Sequence, residues 1–121
     1  MSKILIIEDE PDISKVLNKR LSEAGFDVAV AADAYQGVEL AHREKPDLII
    51  LDLMLPAGGG ISVLKNLKYS AHVSSIPIVV LTGMKDEENK KKILEEGVRA
   101  YMEKPYNPDE LIATIRNILL K

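Results

Sequence analysis

The sequence DLIILD, at residues 47–52, decides the fold class of this chain of 121 residues. Its four consecutive apolar residues are typical of a short strand that is buried on both faces. Strands of that kind belong to parallel sheets whose two faces are covered by helices. Because Asp52 ends the run, the pattern also puts a carboxylate at the carboxyl end of a central strand.

Similar apolar runs recur along the chain and alternate with segments of helical period. The predicted strands are Ile4–Ile7, Val28–Ala32, Leu48–Leu51, Ile76–Leu81 and Ala100–Met102. The predicted helices are a first one with apolar positions from Ile13 to Ala24, then Ala34–Glu44, Ile61–Tyr69, Asp86–Glu96 and Pro108–Leu120. Gly25 is the expected stop of the first helix and Asn107 the expected N-cap of the last. Because helix-length crossovers join the strands, we expect a parallel, open, doubly wound α/β sheet.

Composition narrows the chemistry that this chain can perform. Its formal net charge of −3 gives no reason to expect direct nucleic-acid binding. The absence of cysteine excludes disulfides, thiolate metal sites and thiol nucleophiles. Only four apolar residues precede Glu8, which is too short for a signal peptide or a membrane span, so we expect a cytoplasmic protein without membrane association. Residues 1–121 show no linker or repeat, so we expect one domain.

Polar residues stand where the predicted strands end, which is where sheets of this type bind ligands. The first strand is followed by Glu8–Glu10, the third by Asp52, the fourth by Thr82 and the fifth by Lys104. Clustered carboxylates, a hydroxyl and one lysine suit a hard divalent cation together with a phosphoryl group.

Helix capping is an alternative use for these acids, because a single acid at a strand end is often a cap. Asp9 and Glu10 precede Pro11 at the start of the first helix, so a capping function stays open for both. Asp52 is followed by a segment that offers no helix to cap, which weakens this alternative there.

Other ligand motifs are missing from the same loops. Gly58–Gly60 is not followed by Lys-Ser or Lys-Thr, so it is no P-loop, and we expect a flexible turn there. His42 and His72 are isolated and are expected to be surface residues. The charged segment Asp86–Lys92 leaves few apolar anchors for its helix. It is either a solvated helix face or a mobile, partner-contacting segment.

In their types and their order along the chain, these residues resemble those of the receiver domain of two-component response regulators. This phosphoacceptor module is also known from single-domain chemotaxis regulators. The matching stretches are Ile4–Glu10, Asp47–Pro56 with Gly60, Ile78–Gly83 and Gly97–Pro105. The resemblance covers the whole chain. It implies a flavodoxin-like sheet of five parallel strands in the order 2-1-3-4-5, with five helices on two faces.

The resemblance assigns the acceptor and the metal ligands. Asp52 would accept a phosphoryl group from a phosphohistidine on a sensor histidine kinase or a phosphotransfer protein. Mg²⁺ would be held by Glu8, Asp9, Asp52 and the backbone carbonyl of Met54. The acidic pair is Glu8-Asp9 instead of the commoner pair of aspartates, which leaves the metal role intact.

The resemblance also assigns the switch. Lys104 would pair with Asp52 and then with the phosphoryl oxygens, while Thr82 would turn its hydroxyl toward them. Tyr101 would swing inward as Thr82 moves, although a half-buried strand aromatic is the plain alternative. The Lys104-Pro105 bond would be cis. The change would be read on the face formed by the fourth helix, fifth strand and fifth helix, by an output domain or protein, with room for a homodimer after phosphorylation.

We therefore expect a signalling switch that takes part in its own phosphorylation and dephosphorylation, not an enzyme acting on other substrates. It would be stand-alone or the receiver part of a longer, for instance transcriptional, regulator. An aspartyl-phosphate phosphatase of the haloacid-dehalogenase type is the alternative, but it needs a second aspartate where Met54 stands. A flavodoxin-like flavin carrier needs a hydroxyl-rich phosphate loop where this chain has Glu8–Glu10.

Overall fold

Five parallel strands form one sheet, and helices join successive strands. The computed structural model describes residues 1–56, 59–83 and 87–120. The strands are β1 (Lys3–Ile7), β2 (Asp27–Ala31), β3 (Leu48–Asp52), β4 (Ile78–Thr82) and β5 (Ala100–Glu103). The helices are α1 (Pro11–Glu23), α2 (Ala34–Glu44), α3 (Gly59–Lys68), α4 (Glu87–Glu95) and α5 (Pro108–Leu119). The strand order is β2-β1-β3-β4-β5, which confirms the expected doubly wound α/β fold. Within the described residues, no helix is long and apolar enough to cross a membrane.

The sheet separates two hydrophobic cores, one on each face. The first core packs α1 and α5 against the sheet through Leu17, Leu21, Leu111 and Ile115. The second core packs α2, α3 and α4 against it through Leu40, Val63, Leu64, Leu67 and Ile93. Every residue of β3 and β4 is buried, as expected for strands covered on both faces. The five helices thus lie on two faces, as predicted.

The helix ends follow local sequence signals in most places. Gly25, just after α1, has a φ of 98°, a left-handed conformation that glycine adopts without strain. Asn107 caps α5, because its side-chain oxygen accepts hydrogen bonds from the backbone N–H groups of Asp109 at 2.8 Å and Glu110 at 3.2 Å. Both predictions are confirmed. The N-cap residue of α1 is Glu10, whose side chain makes no capping hydrogen bond.

The glycine run corrects one prediction. We expected a flexible turn, but Gly59 and Gly60 are the first two residues of α3, which therefore begins before Ile61. Gly58 lies outside the described residues. A Cβ atom at Gly60 would overlap the carbonyl group of Leu53. Glycine here permits the start of α3 to lie against the backbone of the loop that follows β3.

Strand β4 also begins later than predicted, at Ile78 instead of Ile76. The backbone N–H of Ile76 donates to the carbonyl of Val73 at 3.1 Å, within a turn. Pro77 has no N–H to give to a neighbouring strand. At the other end, β4 continues to Thr82, so this hydroxyl lies on the strand itself. Helix α4 is described from Glu87, and the predicted first residue, Asp86, lies outside the described residues.

Candidate functional site: a buried carboxylate cluster

Polar residues gather where β1, β3, β4 and β5 end. Asp52 and Thr82 are the last residues of β3 and β4, and Lys104 follows β5. Glu8 follows β1 and donates its backbone N–H to the carbonyl of Ala31 at 3.0 Å. Strand β1 pairs with β2 on one side and with β3 on the other, so the winding of the chain reverses here. The site therefore lies at the switch point of the sheet, where doubly wound folds bind their ligands.

Three carboxylates meet at this point. One oxygen atom each from Glu8, Asp9 and Asp52 lies within 4.8 Å of the others. Glu8 is 3% exposed and Asp52 4% exposed, whereas Asp9 is half-buried. In the described part of the chain, no other group of three acidic or histidine side chains could hold a metal ion, and His42 and His72 belong to none. The structure thus brings together the three acids that the sequence singled out.

Lys104 holds two of the carboxylates from one side. Its Nζ atom lies 3.2 Å from Glu8 Oε1 and 3.2 Å from Asp52 Oδ2. Backbone groups hold the remaining oxygens: the N–H of Met54 donates to Asp52 Oδ1 at 2.9 Å, and that of Glu10 donates to Glu8 Oε2 at 3.3 Å. The orientation of the Asp52 and Glu8 carboxylates is therefore fixed by partners on both oxygens.

Burial makes this cluster electrostatically costly. It raises the pKa of Glu8 from 4.5 to about 7, helped by a hydrogen bond to Asp52 and by the negative charge of Asp52. Burial also lowers the pKa of Lys104, but the charges and hydrogen bonds of Asp52 and Glu8 outweigh it, so the pKa of Lys104 is raised. Lys104 is therefore protonated at neutral pH. Its single positive charge faces three carboxyl groups.

The cluster suits a hard divalent cation. Carboxylate oxygens are the ligands that Mg²⁺ and Ca²⁺ prefer in proteins. When all three carboxyl groups are ionised, one ammonium leaves an excess of two negative charges, and burial disfavours this excess by raising the pKa of Glu8. A divalent cation among these oxygens would remove the excess without protonating any of them.

Two of the predicted switch residues share one face of the sheet. Thr82 is fully buried at the end of β4. Tyr101 pairs with Val80, two residues before Thr82, so both side chains point to the face that carries α4. Tyr101 is half-buried, and Lys90 Nζ of α4 lies 5.6 Å from the centre of its ring. The backbone N–H of Lys104 donates to the carbonyl of Thr82 at 2.8 Å, and the Lys104-Pro105 peptide bond is cis, as predicted.

An apolar groove adjoins the site and was not found from the sequence. It has a volume of about 410 Å³ and lies between the start of α1 and the start of α5. Its walls include Ile13, Val16, Pro105 and the half-buried Tyr106, next to Lys104. Burial raises the pKa of Tyr106, and the charge of Lys104 opposes this effect. Val16 could have pointed to this groove, because it is an apolar residue of α1. The helical periodicity instead grouped it with the core residues of α1, whereas its side chain is 63% exposed.

These features define the class of the protein. The family model for the response regulator receiver domain matches residues 4–116, and the chain belongs to this family. It is a receiver domain of two-component systems, a signalling domain that works as a phosphorylation-activated switch. This identification does not favour the phosphatase alternative.

Particular relatives and structures agree with this assignment. The chain is 41% identical over 117 residues to a probable transcriptional regulator, ycf27, of Porphyridium aerugineum, a match that covers 97% of this chain and 48% of that protein. It is 38% identical over 119 residues to the DNA-binding dual master transcriptional regulator RpaA of Synechocystis, covering 98% and 49%. The receiver domain of the Francisella response regulator 1452 superposes with a TM-score of 0.89 at 33% identity, covering 98% and 96%. The chain spans about half the length of these curated relatives.

Proposed function

We propose that Asp52 is the phosphoacceptor and that it takes its phosphoryl group from a phosphohistidine on a sensor histidine kinase or phosphotransfer protein. The carrying observation is the fixed carboxylate of Asp52, buried beside two further carboxylates and paired with Lys104 at the switch point. In this reaction an Asp52 oxygen bonds to phosphorus, the phosphorus–nitrogen bond breaks, and the released imidazole takes a proton from water.

Glu8, Asp9 and Asp52 are the proposed side-chain ligands of Mg²⁺, together with the backbone carbonyl of Met54. Bound Mg²⁺ would supply positive charge for the phosphoryl oxygens. Lys104 would move from the Asp52 oxygen to a phosphoryl oxygen, which keeps its charge paired throughout. The hydroxyl of Thr82 would donate a hydrogen bond to the transferred phosphoryl group, and the position of Thr82 at the end of β4 supports this role.

The apolar groove beside Lys104 is the proposed seat of the phosphodonor. Its walls come from α1 and the start of α5 and include Ile13, Val16 and Tyr106. A helix of the partner that carries the phosphohistidine could bury its apolar face there while its histidine reaches Asp52. Lys104 lines the groove and also contacts the carboxylate cluster. This proximity supports the phosphodonor as the partner that binds in the groove.

The output face would consist of α4, β5 and α5, with Thr82 and Tyr101 passing the signal to it. The relatives include transcriptional regulators that are about twice as long as this chain. They favour the receiver part of a longer protein over a stand-alone receiver. Residues 1–121 would then form the receiver unit, and any DNA contact would be made by an output domain or partner protein. The net charge of −3 supports this division.

The test uses acetyl phosphate as a small phosphodonor and the intact mass of the protein as the readout. With Mg²⁺, the parent should gain one phosphoryl group, and Asp52→Asn should gain none. Asp47→Asn is the matched control, because Asp47 is exposed and directly precedes β3, at the end of the strand opposite to Asp52. Equal labelling of parent and Asp52→Asn would overturn the proposal, as would loss of labelling in Asp47→Asn.

A further inference from the structure

Helix α4 is weakly anchored to the rest of the domain. Of its nine residues, Ile93 alone is buried. A groove of about 340 Å³ separates α4 from α3, and another of about 300 Å³ lies between α4, β5 and α5. With so small a buried anchor, the contacts of its part-buried side chains help to decide where α4 lies.

Lys90 makes one of these contacts. Its Nζ atom lies 5.6 Å from the centre of the Tyr101 ring, a distance at which an ammonium is attracted by the ring face. Lys90 is half-buried, whereas its neighbours Lys91 and Lys92 are exposed. The same groove is lined by the carboxylates Glu103 and Glu110, which offer Lys90 other partners nearby.

We infer that Lys90 is a positioning residue that couples α4 to the ring of Tyr101. The ammonium of Lys90 holds α4 over β5 as long as the ring presents its face to the groove. When the ring turns away, Lys90 loses this partner and is free to pair with Glu103 or Glu110, so α4 shifts on the sheet. The coupling itself needs only this contact; its use as a signal rests on the proposed function of Asp52.

The first experiment is hydrogen exchange of the α4 amides in the whole domain without any phosphodonor. Lys90→Met keeps most of the length of the side chain and removes its charge, and it should speed exchange of these amides about two- to fivefold. The amides of α5 should not change. The same substitution should act equally in Tyr101→Phe, which keeps the ring, and much less in Tyr101→Leu, where only the attraction between Lys90 and Glu87, three residues away on the same helix, is left to lose.

Lys91→Met is the matched control, because Lys91 is exposed and has acidic neighbours on both sides within α4. Lys91 stands four residues from both Glu87 and Glu95, so its loss weakens α4 from within. Its effect should therefore persist in Tyr101→Leu. An effect of Lys90→Met that is undiminished in Tyr101→Leu, or that vanishes in Tyr101→Phe, would overturn the inference. Tyr101→Phe also serves if Tyr101→Leu fails to fold, because the loss of the Lys90→Met effect there contradicts a ring contact.

A second measurement separates the coupling from the proposed function. Beryllofluoride, a phosphoryl mimic, is added with Mg²⁺, and the Tyr101 ring is followed by carbon NMR while α4 is followed by exchange. In the parent both should respond together, and in Lys90→Met the ring should respond while α4 responds less. An equal α4 response in both proteins would contradict the coupling. No response of either protein to beryllofluoride would contradict the proposed function and leave the first experiment standing.

Discussion

Each end of the sheet gathers three carboxylates around one lysine, in different surroundings. At the amino end, Lys3 Nζ lies 3.0 Å from Glu44 and 3.9 Å from Asp27, and the backbone N–H of Lys3 donates to Asp47 at 2.7 Å. This end is partly open to water. The hydrogen bond between Lys3 and Glu44 raises the pKa of Lys3 and lowers the pKa of Glu44, so each group stabilises the charged form of the other.

At the carboxyl end, Lys104 faces Glu8, Asp9 and Asp52, and here the balance reverses. Burial comes first and raises the pKa of Glu8 to about 7, so the charged form is disfavoured in spite of the nearby ammonium. Both ends thus gather three carboxylates around one lysine. At the amino end Arg43 Nε, 3.5 Å from Glu44 Oε2, adds a second cation, whereas at the carboxyl end the carboxylates are buried and call for a further cation. The exposed cluster is an ion-pair network that water already satisfies.

The largest expected effect is a loss of stability as pH rises in metal-free buffer. Glu8 titrates near pH 7 when folded and near 4.5 when unfolded, so the native state holds a proton that the unfolded chain has released. This contribution is fully present below about pH 4.5 and is lost as pH rises through 7. Urea unfolding with a chelator between pH 5 and 8 should show a fall of up to about 3 kcal/mol.

Glu8→Gln is the control for this pH dependence, because it removes the titrating group and keeps a side chain of similar size. Its unfolding free energy should vary much less over the same range. The raised pKa of Lys104 acts only at alkaline pH and does not contribute here. A parent that is equally stable at pH 5 and pH 8 would show that burial does not penalise the charge of Glu8.

Mg²⁺ should stabilise the parent by a slightly smaller amount. At roughly 30 times its Kd the ion adds about 2 kcal/mol to the free energy of unfolding, measured as a rise in the thermal midpoint. Asp9→Ala should melt above the parent in metal-free buffer, because it relieves repulsion, and should gain little from Mg²⁺. A parent whose thermal midpoint does not change in millimolar Mg²⁺, or an Asp9→Ala variant that melts no higher than the parent without metal, would contradict repulsion among the three carboxylates.

The lifetime of the phosphoryl group should depend on the side chains at the mouth of the buried cluster. Met54, two residues after Asp52, is 53% exposed and cannot orient a water molecule by hydrogen bonding. Met84, two residues after Thr82, is expected from the sequence to act with it and lies outside the described residues. Met54→Asn combined with Met84→Glu should speed phosphoryl decay more than about tenfold, roughly 1.4 kcal/mol of barrier. An unchanged decay rate would mean that the two methionines do not protect the phosphoryl group from attack by water.

The smallest effect is expected at the exposed end of the sheet. Lys3→Met should leave the urea midpoint, the response to Mg²⁺ and the pH dependence between 5 and 8 without a resolvable change, because water solvates its carboxylate partners. A change in the Mg²⁺ response would mean that the exposed carboxylates bind the ion, and the contrast between the two ends would fail.

Much of this site was predictable because parallel strands align their ends. Once the apolar runs define the strands, Glu8, Asp52 and Lys104 must approach one another at the carboxyl edge, however far apart they lie in the chain. The caps at Gly25 and Asn107 were predictable because their signals are local.

Other features depend on contacts that no local pattern encodes. The helical start at Gly59 and Gly60 follows from close approach to Leu53, a tertiary contact. The contact of Lys90 with Tyr101 depends on the rotation of α4 about its axis, which three successive lysines and one buried isoleucine do not reveal. Arg20 and Asp109, which form an ion pair of 2.7 Å between α1 and α5, are 89 residues apart.

The most direct test of the central claim is to locate the phosphoryl group after labelling with acetyl phosphate. Borohydride reduces an aspartyl phosphate to homoserine, which peptide mass spectrometry then identifies by position. We expect homoserine at position 52, formed in the presence of Mg²⁺ and not formed when a chelator removes the ion. Reduction products at Glu8, at Asp9 or at the exposed Asp47, or the same yield without a divalent cation, would contradict it.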